Sequence, residues 1–111
     1  MADAALFRRL ALAMPGATEA PHFDRPSFRT RVIFATLSPD GKTATLNFSP
    51  EEQEFRCTLN PQAFAPTNDA WGRRGWTRTT LAPLGEDELR AALHAAWQRA
   101  STPPPKRRRL P

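Results

Sequence analysis

The chain has 111 residues, 40% of them hydrophobic and ten of them aromatic, which is enough for one domain with a modest core and too apolar for a disordered chain. Its net charge of +5 is unevenly spread: residues 1–102 hold 12 basic and 11 acidic groups, and Lys106, Arg107, Arg108 and Arg109 supply the remaining +4. A body so close to neutral is not globally basic, so any polyanion footprint must come from segregated charge or from the tail.

No apolar run approaches the roughly 20 residues that a membrane helix requires. Asp3 and the Arg8-Arg9 pair interrupt what would be the apolar region of a signal peptide, so a cytoplasmic location and no membrane partner are expected. Cys57 is the only cysteine, which excludes an internal disulfide. With only His22 and His94 beside it, a structural zinc site is not expected, and no metal or other cofactor is assigned.

In chain order, residues 3–14 read as a helix, with Asp3 as N-cap, Leu6, Phe7, Leu10 and Met14 on one face, and Pro15-Gly16 as the stop. Thr18 to Phe23, bounded by prolines, reads as an edge strand. Pro26 to Leu37 is rich in strand formers and reads as one strand. The Ser38-Pro39-Asp40-Gly41-Lys42 turn then leads into the strictly alternating Thr43–Phe48, which makes an antiparallel hairpin. Ser49-Pro50-Glu51-Glu52 opens a short helix to about Cys57: a serine cap, proline at the first helical position and acids in the first turn. Asn60-Pro61 begins a further short turn of helix through Phe64. Trp76 to Leu81 reads as the last strand, and Glu86-Asp87-Glu88 opens a closing helix with Leu89, Ala92, Leu93, Ala96, Trp97 and Ala100 inward. Pro103-Pro104-Pro105 ends the domain at about residue 102, and the basic tail over 103–111 is expected to be disordered. Antiparallel strands between helices indicate an α+β, two-layer domain whose sheet packs against the N- and C-terminal helices and leaves one face open.

The most informative segment is Trp71-Gly72-Arg73-Arg74-Gly75-Trp76-Thr77-Arg78, a run that no acid interrupts. Arginine neutralises phosphate, and tryptophan stacks on or wedges against bases. The same run also reads as a glycine turn pinned by core tryptophans. Strand parity bears on the choice. If Leu81 points inward, Trp76 and Arg78 point outward, leaving Trp71 as the expected packing anchor. In the strand before the hairpin Phe28, Val32 and Phe34 share one parity, and Arg29 and Arg31 share the other. The open face is thus expected to carry Arg29, Arg31, Thr45, Asn47, Trp76 and Arg78. A bulge would invert part of this set.

Pro21-His22-Phe23-Asp24-Arg25-Pro26-Ser27-Phe28-Arg29, Ile33-Phe34-Ala35-Thr36-Leu37, Trp71-Gly72 with Gly75-Trp76-Thr77, and Glu88-Leu89 with Ala96-Trp97 stand in an order that resembles the MmcQ/YjbR family of small bacterial proteins. The likeness covers roughly residues 5–100. It implies an α+β fold similar to the CyaY-like or double-wing arrangement, and a DNA-binding role. The Gly-Lys pair often found before the Ile-Phe-Ala strand in such proteins is replaced here by Thr30-Arg31-Val32, so that turn is expected to be shorter or differently shaped. Frataxin-type relatives of the fold are associated with iron through an acidic ridge around the first helix; here that helix holds only Asp3, so iron is not expected.

These readings converge on a non-enzymatic protein that binds DNA weakly and in a salt-sensitive way. Arg73, Arg74 and Arg78 are expected to contact phosphates, Trp76 to offer a stacking surface, and Arg29, Arg31 and Lys42 to extend the patch. The alternative is a protein- or small-ligand-binding module that uses the open sheet face, with a tryptophan as interface anchor. No catalytic residue is assigned. His22 beside Asp24 reads either as a base or as a loop-packing residue, Ser27 lacks a nucleophile-elbow setting, and Cys57 reads as core filler.

Overall fold

A computed structural model describes residues 2–103. The tail expected beyond residue 102 lies, from residue 104 on, outside the described residues.

Helix α1 spans Ala4–Leu12, and the Asp3 carboxylate accepts a hydrogen bond from the Leu6 amide at 2.9 Å, as the N-cap role requires. Five strands and a second helix follow: β1 Thr18–His22, β2 Arg25–Arg29, β3 Ile33–Leu37, β4 Thr43–Asn47, α2 Pro50–Leu59 and β5 Phe64–Pro66. A single 3-10 turn over Gly72–Arg74 precedes β6, Trp76–Thr80, and α3, Glu86–Ser101, closes the fold. Ser49 caps α2 by accepting from the Glu52 amide at 3.1 Å, and Pro50 takes the first helical position, where no amide donor is needed.

The six strands form one antiparallel sheet in the order β1-β2-β3-β4-β6-β5. Paired residues share a face, so the register sorts the side chains. Phe28, Ala35, Leu46 and Thr77 form one row on the helix side, and Ser27, Thr36, Thr45 and Arg78 form one row on the opposite side. Helix α3 packs on β3 and β4, α1 packs on α3, and α2 packs on β5. Phe7, Phe28, Phe34, Leu46, Phe48, Phe64, Leu89 and Leu93 are fully buried between the layers, with Phe7 and Phe28 edge to face at 5.5 Å. The protein is therefore an α+β fold with its helices on one side of the sheet.

Three expectations are corrected. The stretch from Pro26 to Leu37 is two strands, β2 and β3, reversed through Thr30-Arg31-Val32, where the Thr30 amide donates to the Val32 carbonyl at 3.1 Å. The register between them slips at Phe28/Arg29, and this bulge leaves both Phe34 and Ala35 buried while Ile33 turns toward the open face. The segment after Asn60 is a turn closed by the Ala63 and Phe64 amides on the Asn60 carbonyl, and Phe64 begins β5 instead of ending a helix. Finally, Trp97 is only partly buried at the edge of the core, with its indole N–H donating to the Pro15 carbonyl at 2.9 Å.

Candidate functional site

The open face holds a groove of about 600 Å³ that runs from the tip of the β1–β2 hairpin to the loop between β5 and β6. Thr36, Thr45 and Ile33 line it from β3 and β4, His22, Phe23 and Arg25 from the hairpin, Trp71 from the loop and Trp76 from the start of β6. Thr67 and Asp69 complete the lining, which is mostly apolar.

The loop that supplies the tryptophans is tightly held. The Asp69 carboxylate accepts from the Thr67 hydroxyl at 2.8 Å and from the Gly72 amide at 3.1 Å. The Arg74 and Trp76 amides both donate to the Trp71 carbonyl, at 2.9 and 3.2 Å. From α2, the Gln53 side-chain amide donates to the carbonyls of Gly72 at 2.8 Å and Trp76 at 3.1 Å, tying the loop to the helix layer. Both glycines are required by close approach. A Cβ on Gly72 would collide with the Thr67 carbonyl, and one on Gly75 with the Phe48 carbonyl. The apparent signature Trp-Gly-Arg-Arg-Gly-Trp is thus first a backbone device that presents two indoles.

Trp71 is not the expected packing anchor: it is 56% exposed, and the Arg74 guanidinium lies over its ring at 5.1 Å. Trp76 is half-buried and faces the groove, as parity requires. Arg78 is exposed and paired with Thr45, and Arg29 is exposed and paired with Ile33, so these two arginines flank the groove on the same face. Asn47 pairs with Trp76 and its side-chain amide donates to the Ile33 carbonyl at 3.3 Å, bracing the end of β3.

Two residues expected on this face are elsewhere. Arg31 sits in the β2–β3 turn and donates to the Thr102 carbonyl at 3.4 Å, at the C-terminal end of α3 on the helix side. The expectation failed because a turn, not a strand, carries Arg31, so parity has no hold on it. Lys42 lies in the β3–β4 turn at the end of β4 opposite to the one that meets Trp76, roughly 17 Å along the strand direction. Arg73 lines a separate depression with Gln53, Pro66, Thr67 and Asn68, beside the groove and not in it.

Charge is segregated across the two layers. The ion pairs Arg8–Glu19, Arg9–Glu86, Arg56–Glu52 and Arg90 with Glu86 and Asp87 all involve helix residues. On the open face Arg25 pairs with Asp24 at 3.2 Å, while among the described residues Arg29, Arg73, Arg74 and Arg78 have no carboxylate partner. That salt bridge also engages the Asp24 carboxylate that a catalytic reading would assign to His22; the His22 ring instead meets Phe23 edge to face at 4.6 Å. Ser27 is buried, with its hydroxyl donating to the Ala20 carbonyl at 2.8 Å. Cys57 is half-buried against the core, and its thiol is pushed up from its ordinary pKa by that burial.

Sequence reasoning missed several residues of the site, among them the groove-lining Thr36 and Arg25. Gln53 carried no local signal, since its partners lie 19 and 23 residues away. Ile33 was hidden by the bulge. Asp69 could have been found as an Asx-type residue three before Gly72, and Phe23 as half of a two-residue link between strands.

The chain belongs to the YjbR family, whose model matches residues 12–99. Among solved structures it is similar to a DUF419-domain protein of Deinococcus radiodurans, DR2400, at a TM-score of 0.72 and 20% identity, covering 86% of this chain and 76% of that one. It is likewise similar to a Pseudomonas syringae protein from a structural genomics programme, at a TM-score of 0.63 and 18% identity, covering 86% and 97%. No match was found among curated proteins. At these identities the likeness bears on the fold. Among the described residues no helix is long and apolar enough to cross a membrane.

Proposed function

We propose that the open sheet face is a nucleic-acid-binding surface and that the protein acts by binding, without catalysis. The observation that carries this reading is the placement of Arg29, Arg74 and Arg78, all without carboxylate partners, around a groove walled by Trp71 and Trp76, while Glu19, Glu52, Glu86 and Asp87 are engaged by arginines of the helices and the one acid in the groove lining, Asp69, is held by the Thr67 hydroxyl and the Gly72 amide. Unpaired guanidinium groups neutralise phosphates and release their counterions, and aromatic faces stack on bases. Arg73 adds a further cation at the rim, whereas Arg31 and Lys42 drop out of the surface on geometric grounds. Backbone contacts of this kind provide affinity without reading sequence.

The test is a titration of the full chain with duplex and single-stranded DNA at 50 and 200 mM salt, beside Arg29→Ala/Arg78→Ala and a variant with Lys106, Arg107, Arg108 and Arg109 changed to glutamine. About four phosphate contacts predict a loss of roughly 50- to 150-fold in affinity between the two salt concentrations. The paired arginine substitution should remove most binding, and the tail variant should keep it. Binding that disappears with the tail charges alone, or is absent at low salt, refutes the assignment. Affinity for a protein or small ligand that is insensitive to salt would favour the alternative use of the same face.

A further inference from the structure

We propose that the groove takes the unpaired bases of a single strand, with Phe23 and Trp71 as its stacking faces; this inference rests on the nucleic-acid reading above and deepens it.

Phe23 is the observation that starts the argument. It is the first residue of the two-residue link between His22 and Arg25, with φ of +58°, and its side chain is 92% exposed. A left-handed backbone crowds any Cβ, so tight hairpin links favour Gly or Asn at such positions. Among the described residues Phe23 is the only non-glycine with positive φ. The fold recovers nothing from the ring: its one aromatic neighbour is the exposed His22, at 4.6 Å. A disfavoured backbone carrying a large apolar side chain into solvent points to a contact made outside the fold.

That contact is located by the groove. Phe23 lines it from the hairpin and Trp71 from the loop, and both rings are more than half exposed. Arg74 stacks over Trp71 at 5.1 Å, which orients the indole and puts a positive charge beside it. Thr36 and Thr45 are the hydroxyl-bearing residues that the central strands contribute to the lining, a residue type able to meet the polar edge of a base. A volume of about 600 Å³ lies in the range of sites for small organic groups.

Charge complementarity then selects the occupant. The groove lining holds Arg25, which is paired with Asp24, and Asp69, whose carboxylate is taken up by the Thr67 hydroxyl and the Gly72 amide; Arg29, Arg74 and Arg78 flank it without carboxylate partners, so planar rings entering it would bring their phosphates alongside guanidinium groups. A duplex keeps its base faces stacked on one another and would leave Phe23 and Trp71 without a partner. A single strand presents free base faces together with the same phosphates.

The experiment uses the full chain with the four tail cations changed to glutamine, and measures binding of a short oligothymidine, an abasic strand of equal length and a duplex of equal length, by fluorescence anisotropy at low salt. The oligothymidine is expected to bind at least about tenfold more tightly than the abasic strand or the duplex. Phe23→Gly and Trp71→Ala should each weaken the oligothymidine by roughly 5- to 100-fold and leave the abasic strand unaffected. Phe23→Gly should also keep the wild-type unfolding midpoint or raise it, separating a loss of contact from a loss of fold. Equal affinity for the oligothymidine and the abasic strand, with no effect of Phe23→Gly, overturns base stacking while arginine-dependent binding survives. If none of the three probes binds, the nucleic-acid reading falls and this inference with it.

Discussion

The sharpest structural prediction concerns Gly75, which joins the 3-10 turn to β6 at φ of +113°. An added Cβ would overlap the Phe48 carbonyl oxygen, with the carbonyl carbons of Phe48 and Ser49 at 2.8 and 3.2 Å. All three obstacles are backbone atoms, so no rotamer change relieves the clash. The dihedral itself costs an alanine about 1–2 kcal/mol. Moving the residue away from Phe48 weakens three hydrogen bonds: the Gly75 amide to the Gly72 carbonyl at 3.2 Å, the Phe48 amide to the Gly75 carbonyl at 3.2 Å, and the Thr77 hydroxyl to that carbonyl at 2.8 Å. At about 1 kcal/mol each, and with some of each retained, Gly75→Ala should cost about 4 kcal/mol. With a urea m-value of about 1.5 kcal/mol/M, the unfolding midpoint followed by tryptophan fluorescence should fall by roughly 2.5 M. Gly16 provides the control, because its φ is +75° but nothing lies within 4 Å of an added Cβ. Gly16→Ala should cost only the dihedral, about 1–2 kcal/mol. Equal losses for the two variants would refute the steric argument.

Three further outcomes are expected. Gln53→Ala removes both donors to the Gly72 and Trp76 carbonyls, so it should lower stability by about 1–2 kcal/mol and loosen the loop, seen as lower tryptophan anisotropy; an unchanged anisotropy would contradict the bracing role. The Asp40 carboxyl is held below the usual carboxylate range, first by the Ser38 hydroxyl at 2.6 Å and then by the Lys42 amide at 2.9 Å. A depressed folded value means that its contribution is present above the unfolded pKa and is lost as pH falls through the folded one. The wild-type advantage over Asp40→Ala should therefore be seen at neutral pH and shrink in acid, and a pH-independent difference would speak against it. Because burial raises the Cys57 thiol, Ellman's reagent should label it more slowly in the folded protein than in urea, and equal rates would show that its burial is not protective.

How far the sequence could be read depended on the range of each signal. The caps at Asp3 and Ser49-Pro50, the turn at Ser38–Lys42 and the alternation of Thr43–Phe48 are contained within a few residues, and each appears where it was read. Parity also oriented Trp76 and Arg78 correctly, because β6 is regular along its length. The break between β2 and β3 carried no signal in residue type, since Thr30-Arg31-Val32 contains no Gly, Pro or Asn and its neighbours are strand formers on both sides; only the family resemblance implied a turn there. Strand β5 was too short to signal itself, at three residues ending in Pro66. Trp71 misled because a large apolar side chain is more often buried than displayed.

By itself, then, the sequence determined an α+β chain with antiparallel strands, its helix boundaries to within a few residues and an Arg/Trp segment set apart from acids. Only the tertiary structure decided that Trp71 is displayed, that Arg31 and Lys42 leave the surface, and that Phe23 and Trp71 line one groove. The physical reason is distance along the chain. Propensity, capping and alternation act over a few residues, whereas the groove joins a hairpin tip at 22–25 to a loop at 71–76 through the pairing of the strands between them.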